Sequence, residues 1–128
     1  MRLLLDTHIA LWAIRDDAQL SARARGLIAD PDNAILVSAA TVWEISIKHA
    51  LKRADMPLSG MDAIGFFREA GYELIAVSVT HAALVGALPP YHADPFDRML
   101  VAQARSESAQ LLTHDRMITK YGAWVMQV

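Results

Sequence analysis

A parallel α/β fold, with helices on both faces of a sheet of about five strands, is what this chain predicts. Three observations lead there. Short apolar runs alternate along the chain with longer segments of helical spacing. Apolar residues make up 54% of the 128 and charged residues 20%, the balance of a chain that buries a core. Turn formers, among them Pro31-Asp32-Asn33, Pro57, Gly71 and Pro89-Pro90, fall between the apolar segments. The rhythm of strand, helices, strand is the signature of right-handed crossovers in a parallel sheet. At this length a single domain spanning 1–128 is expected, with about two-thirds of its surface buried on folding.

The elements follow in order. Residues 2–5 form a first strand, since four apolar-rich residues are too few for a helix. Helical spacing marks 8–14 and 21–29. A second strand at 34–37 follows the Pro-Asp-Asn turn, and a helix at 40–51 comes next. Beyond Pro57 a helix is expected over 61–69, and beyond Gly71 a strand over 74–77. A helix over 80–87 stops before Pro89-Pro90, because proline cannot continue it. In HADPFDR, Asp94 reads as an N-cap and Pro95 as the first residue of a helix over 95–106. Strands at 111–113 and 124–126 close the pattern.

Composition removes several functions. The chain has no cysteine, so disulfides, thiolate metal sites and cysteine nucleophiles are excluded and a reducing cytoplasm is the expected compartment. No apolar run approaches the roughly 18 residues of a membrane span, and MRLLLD does not read as a signal peptide. A formal charge of −2 gives no overall attraction to nucleic acid, so such contact needs local basic patches.

Ligands of open parallel sheets bind beyond the carboxyl ends of the strands. Asp6 follows the first strand, Glu44 lies in the helix after the second, Asp97 is in the first turn of a late helix, and Asp115 follows the fourth strand. Each has an ordinary structural explanation. Asp6 and Asp115 can cap helices, Glu44 can pair with Lys48 one turn on, and Asp97 can favour a helix dipole. Their convergence on one edge is harder to explain, because clustered carboxylates repel unless a cation neutralises them. An all-oxygen set suits Mg²⁺ or Mn²⁺, and such a site activates water for attack on a phosphodiester.

LLLDTH, SAATVWEI, and HADPFDRMLVAQA followed by LLTHD resemble the PIN-domain ribonucleases, specifically the VapC-type toxins of toxin–antitoxin pairs. The similarity runs over nearly the whole chain in family order. It implies a three-layer α/β/α fold and a metal-dependent endoribonuclease. Carried over by position, the acidic site is Asp6, Glu44, Asp97 and Asp115, with Asp6, Asp97 and Asp115 holding Mg²⁺ or Mn²⁺. It also implies RNA as substrate, a small antitoxin as partner, and a homodimer. The alternative is a PIN-like domain that binds RNA or protein without cutting; loss of a site acid would mark it, and none is missing.

Around the acids, Thr7 and Thr113 could support carboxylates or cap locally, and Asp94 caps the helix or supports the site from one step out. His8, His92 and His114 lie near the same edge but are not expected to ligate the metal. Trp12, Trp43 and Ile47 read as buried or interface residues. Lys48, Lys52 and Arg53 make the densest basic surface, and Arg98 and Arg116 stand beside site acids. All five are candidate RNA contacts, or a solvated helix end and local screening. Leu11, Trp12, Ile14, Leu27, Ile28, Phe66 and Phe67 either form a groove for the antitoxin's apolar helix or fill the core. Receiver-domain and haloacid-dehalogenase readings fail, because the first strand ends in Asp6-Thr7-His8 and supplies neither an acid pair nor a D-x-D loop.

Overall fold

The computed structural model describes all residues 1–128. In chain order it contains β1 (Arg2–Leu5), α1 (Thr7–Arg15), α2 (Ala22–Ala29), β2 (Ala34–Ser38), α3 (Ala39–Ala50), α4 (Gly60–Glu69), β3 (Glu73–Ile75), α5 (Val79–Val85), α6 (Pro95–Ser106), β4 (Gln110–Thr113), a 3-10 helix (Arg116–Tyr121) and β5 (Val125–Gln127). The sheet order is β3-β2-β1-β4-β5, and every pairing is parallel. The expected fold class is therefore the one observed.

Side-chain alternation along the strands divides the core between two faces. Leu3, Leu5, Ile35, Val37 and Leu112 face one side, packed with Ile9, Ile45 and Phe67 from the helices there. Leu4, Leu36, Leu111 and Val125 face the other, against Leu100, Val101 and Ala104 of α6. Sequential strands run outward from β1 to β2 and β3, and the chain then crosses back to lay β4 on the other flank of β1. That reversal opens a crevice at the carboxyl ends of β1 and β4, where α/β sheets bind ligands.

Element boundaries follow hydrogen-bond competition. β3 stops at Ile75, two residues before the expected end, because its one partner β2 ends opposite at Ser38 and turns into α3; the Ala76 carbonyl then accepts from the Gln103 side chain at 3.2 Å. The expected helix over 80–87 instead begins at Val79 behind a Ser78–His81 capping box and ends at Val85. The 3-10 helix was not foreseen: its six residues are too few to show an apolar period. It is launched by the Asp115 side chain accepting from the Met117 N–H at 2.8 Å. At its end Gly122 has φ of 152°, and a Cβ there would meet the Trp124 ring at 2.3 Å, so only glycine allows the turn into β5.

The apolar residues with two readings divide. Leu11 and Phe67 are core, with Trp12, Ile14, Leu27 and Ile28 packed against it, which leaves Phe66 as the exposed member. Leu11 and Phe67 thus fill the core, while the other five keep part of their surface open. No helix is long and apolar enough to cross a membrane.

Candidate active site

β1, the central strand, ends at Leu5, and Asp6 makes one last ladder bond from its N–H to the Leu112 carbonyl at 3.0 Å. Its side chain then turns back to accept from the Ile9 N–H at 2.9 Å, capping α1. Asp6 is both the expected cap and a wall of the crevice. Burial pushes its carboxyl above the ordinary range, against opposing hydrogen bonds from Thr113 and Ile9.

β4 ends beside it at Thr113, whose hydroxyl also accepts from the Asp115 N–H at 3.0 Å. Thr113 therefore fixes acids on two neighbouring strands. Between them comes the start of α6. Asp94 Oδ1 accepts from the N–H groups of Phe96 (2.8 Å) and Asp97 (3.3 Å), so Asp94 is the cap and Asp97 is free to face the crevice. Burial is the main reason that the Asp97 carboxyl is pushed up to about 7; the negative charges of Asp94, Asp6 and Glu44 add to it, and His92 works against it.

Asp6, Asp97 and Asp115 line one cavity of about 400 Å³ together with His8, Trp12, Gln19 and His114. Trp12 lies between the two histidines, with ring centroids 5.9 Å from His8 and 5.3 Å from His114. It is half-buried at the cavity wall, not wholly core. His92 reaches in from the preceding loop, its Nε2 lying 3.0 Å from Asp115 Oδ2 and 3.7 Å from Asp97 Oδ2. His92, Asp97 and Asp115 offer three potential ligand atoms within 4.8 Å of one another.

Glu44 lies apart from this lining. It is 3% exposed, with Oε1 accepting from the Thr7 hydroxyl at 2.7 Å and Oε2 paired with the Lys48 ammonium. Thr41 extends the contact, its hydroxyl lying 3.2 Å from that of Thr7. Glu44 thus realises the ordinary i,i+4 pair and at the same time sits near enough to raise Asp97.

The basic residues separate. Lys48 is committed to Glu44, and Arg53 pairs with Asp55 at 3.2 Å. Arg98 points away from the acids to the carbonyls of Pro89, Val85 and Leu88 and to the Tyr121 hydroxyl. Lys48 thus spends one of its three ammonium donors on Glu44, and Arg98 both of its terminal nitrogens on carbonyls and the Tyr121 hydroxyl. Lys52 and Arg116 stay exposed. His92 lies at the edge where the sequence places it; what the sequence does not show is its contact with Asp115 and Asp97. Tyr121, which orders the loop carrying it, left no signal, because it arrives from a 3-10 turn 29 residues away.

Residues 3–123 match the family model described as the PIN domain. Among solved structures, the chain is similar to VapBC2 from Rickettsia felis bound to a DNA fragment from their promoter, with TM-score 0.72 and 17% identity over 100% of this chain and 98% of that one. DNA-bound VapBC from Salmonella typhimurium gives 0.71 and 15%, over 99% and 98%. VapBC-1 from nontypeable Haemophilus influenzae gives 0.60 and 18%, over 97% and 98%. No curated protein sequence matches.

Proposed function

This chain belongs to the PIN-domain family, and we propose that it is a metal-dependent endoribonuclease acting as the toxin of a VapC-type toxin–antitoxin pair. The observation that carries the reading is the convergence of Asp6, Asp97 and Asp115 on one cavity, with Asp97 pushed up to about 7. A fold gains nothing from crowding carboxylates until a cation relieves them. The donor set is hard oxygen, which fits Mg²⁺ or Mn²⁺, and Asp6, Asp97 and Asp115 would hold the ion. When bound, such a cation activates water and stabilises the leaving oxygen of a phosphodiester.

The chain's own residues do the rest. Asp94 starts α6 so that Asp97 meets the crevice, and Thr113 sets the spacing between Asp6 and Asp115. Thr7 and Lys48 hold Glu44 behind them, where its charge adds to the negative field without entering the cavity. RNA would approach over the exposed edge carrying His8, His114 and Arg116. An antitoxin would offer arginine or lysine to the same acidic cleft. A homodimer belongs to the same reading. The face best suited to it is the apolar cavity of about 460 Å³ lined by Trp43, Val77, Phe96 and Met99, where Trp43 is 64% exposed.

Incubation of the purified chain with structured RNA tests the proposal. Cleavage should require Mg²⁺ or Mn²⁺, stop with a chelator, and return poorly with Ca²⁺, whose looser geometry orients water badly. Cleavage without divalent metal overturns the mechanism. Co-expression with the short reading frame adjacent to the gene should give a complex. Absence of both a complex and growth arrest on expression alone overturns the toxin assignment.

A further inference from the structure

We propose that His92 is a positioning residue, a hydrogen-bond donor that fixes the Asp115 carboxylate, and not a ligand of the metal. The inference rests on the acidic cleft being a metal site, as argued above. The backbone N–H of Asp94 lies 3.0 Å from His92 Nδ1. A backbone amide only donates, so Nδ1 accepts and the proton of the neutral ring sits on Nε2. Nε2–H then donates to Asp115 Oδ2 at 3.0 Å. To ligate a metal, Nε2 would have to be bare and the proton moved to Nδ1, where it would meet the Asp94 N–H head on.

The clamp is braced from two sides. Asp94 caps α6 with its side chain while its own N–H holds the ring, so His92 moves with the helix that carries Asp97. On the other side the His92 N–H donates to the Tyr121 hydroxyl at 3.1 Å. Arg98 donates to that same hydroxyl at 3.1 Å and to the carbonyls of Val85, Leu88 and Pro89, which ties down the intervening loop. The acid served is the one that needs fixing: the Asp115 side chain is 41% exposed, the most open carboxylate in the cleft. Its Oδ1 is held by Met117 and its Oδ2 by His92, and each oxygen keeps a second lone pair for a cation.

Two measurements on the purified full chain test this, neither of which requires cleavage. In the metal-free protein at pH 8, ¹⁵N NMR of the ring should show an acceptor-type Nδ1 and a protonated Nε2; the opposite tautomer overturns the proposal. Mn²⁺ affinity, titrated by electron paramagnetic resonance, should fall about tenfold or more in His92→Phe, as for lost outer-shell partners of metal sites. His92→Gln, which restores a donor near Nε2, should recover to within a few-fold, and Zn²⁺ should weaken in His92→Phe by the same factor as Mn²⁺. Unchanged Mn²⁺ affinity in His92→Phe, no recovery in His92→Gln, or a selective loss of Zn²⁺ overturns it. If the wild-type chain binds Mn²⁺ but cuts no RNA, the nuclease reading fails while this inference stands.

Discussion

Helix α6 carries two buried polar groupings, and their difference separates architecture from function. At its middle, Gln103 is fully buried and closes a network. The Ser38 hydroxyl bonds its Oε1, its Nε2 reaches the Ala76 carbonyl and His81 Nδ1, and His81 Nε2 meets Glu107 at 3.0 Å. At its start, Asp97 shares a cleft with Asp6 and Asp115. Both groupings contain a histidine whose Nδ1 accepts a backbone N–H at 3.0 Å and whose Nε2 faces a carboxylate at 3.0 Å. In the first, each donor finds an acceptor and the chemistry is complete. In the second, acids outnumber donors, and burial together with the neighbouring carboxylates pushes Asp97 up to about 7. A network that satisfies itself supports the fold; one left in charge debt to its surroundings is poised for a cation.

The largest expected effect tests the functional side. Asp97→Asn should lower metal-dependent RNA cleavage by about a thousandfold, near 4 kcal/mol at about 1.4 kcal/mol per tenfold. The same change removes a crowded negative charge, so the metal-free variant should melt at or above the wild-type temperature at pH 8. Near-wild-type cleavage in a folded variant would break the comparison and move the role to Asp94.

The architectural side gives the next effect. Gln103→Ala strands the Ser38 hydroxyl and the Ala76 carbonyl and leaves a cavity, a loss of roughly 3 kcal/mol in denaturant titration. Mn²⁺ affinity per folded molecule should stay within a few-fold of wild type. A large fall in affinity would show that the two groupings are one unit.

Legibility in the sequence divided along the same line. Asp6, Asp97 and Asp115 could be placed because each directly follows a strand end or helix start, where chain order dictates position. Glu44 was placed on the correct helix, but its pairing with Thr7 depends on how α3 packs against α1, which periodicity does not encode. The Lys48–Glu44 pair is legible from its i,i+4 spacing, whereas Arg98 reads as a partner of the acids or of RNA because sequence shows charge and not the carbonyls that receive it. The Gln103 network was invisible, since it joins residues 65 positions apart through side chains that look ordinary singly.

A third test uses pH. Asp97 ionises at the ordinary value of 3.8 when unfolded and at about 7 when folded, so the folded chain keeps its proton through the interval between. Metal-free stability should therefore fall as pH rises from about 4 to about 7, and level off above. A cation needs the ionised form and competes with that proton, so Mn²⁺ should bind about tenfold more tightly at pH 8 than at pH 6, a difference near 1.4 kcal/mol. Calorimetric titration at the two values checks it. In Asp97→Asn any remaining binding should lose most of this pH dependence. Equal wild-type affinity at both values would mean that Asp97 does not meet the ion.

The smallest expected effect sharpens the boundary between the two groupings, because Glu44 belongs partly to each. Its oxygens are satisfied by Thr7 and Lys48, as in an architectural network, yet its charge reaches Asp97. Glu44→Gln keeps an acceptor for Thr7 but deprives the partly buried Lys48 of its counter-ion, which should lower stability by about 1 kcal/mol. With one negative charge gone behind the cleft, Asp97 should release its proton at lower pH, and the field drawing in a cation should weaken. These act in opposite senses on metal affinity, so at pH 8, where Asp97 is already mostly ionised, only the weaker field remains. Mn²⁺ affinity should then fall about threefold at pH 8 and less at pH 6, a difference that calorimetry at both values can read. A loss as large as that of Asp97→Asn would place Glu44 among the ligands, and no change at either value would make it purely a partner of Lys48.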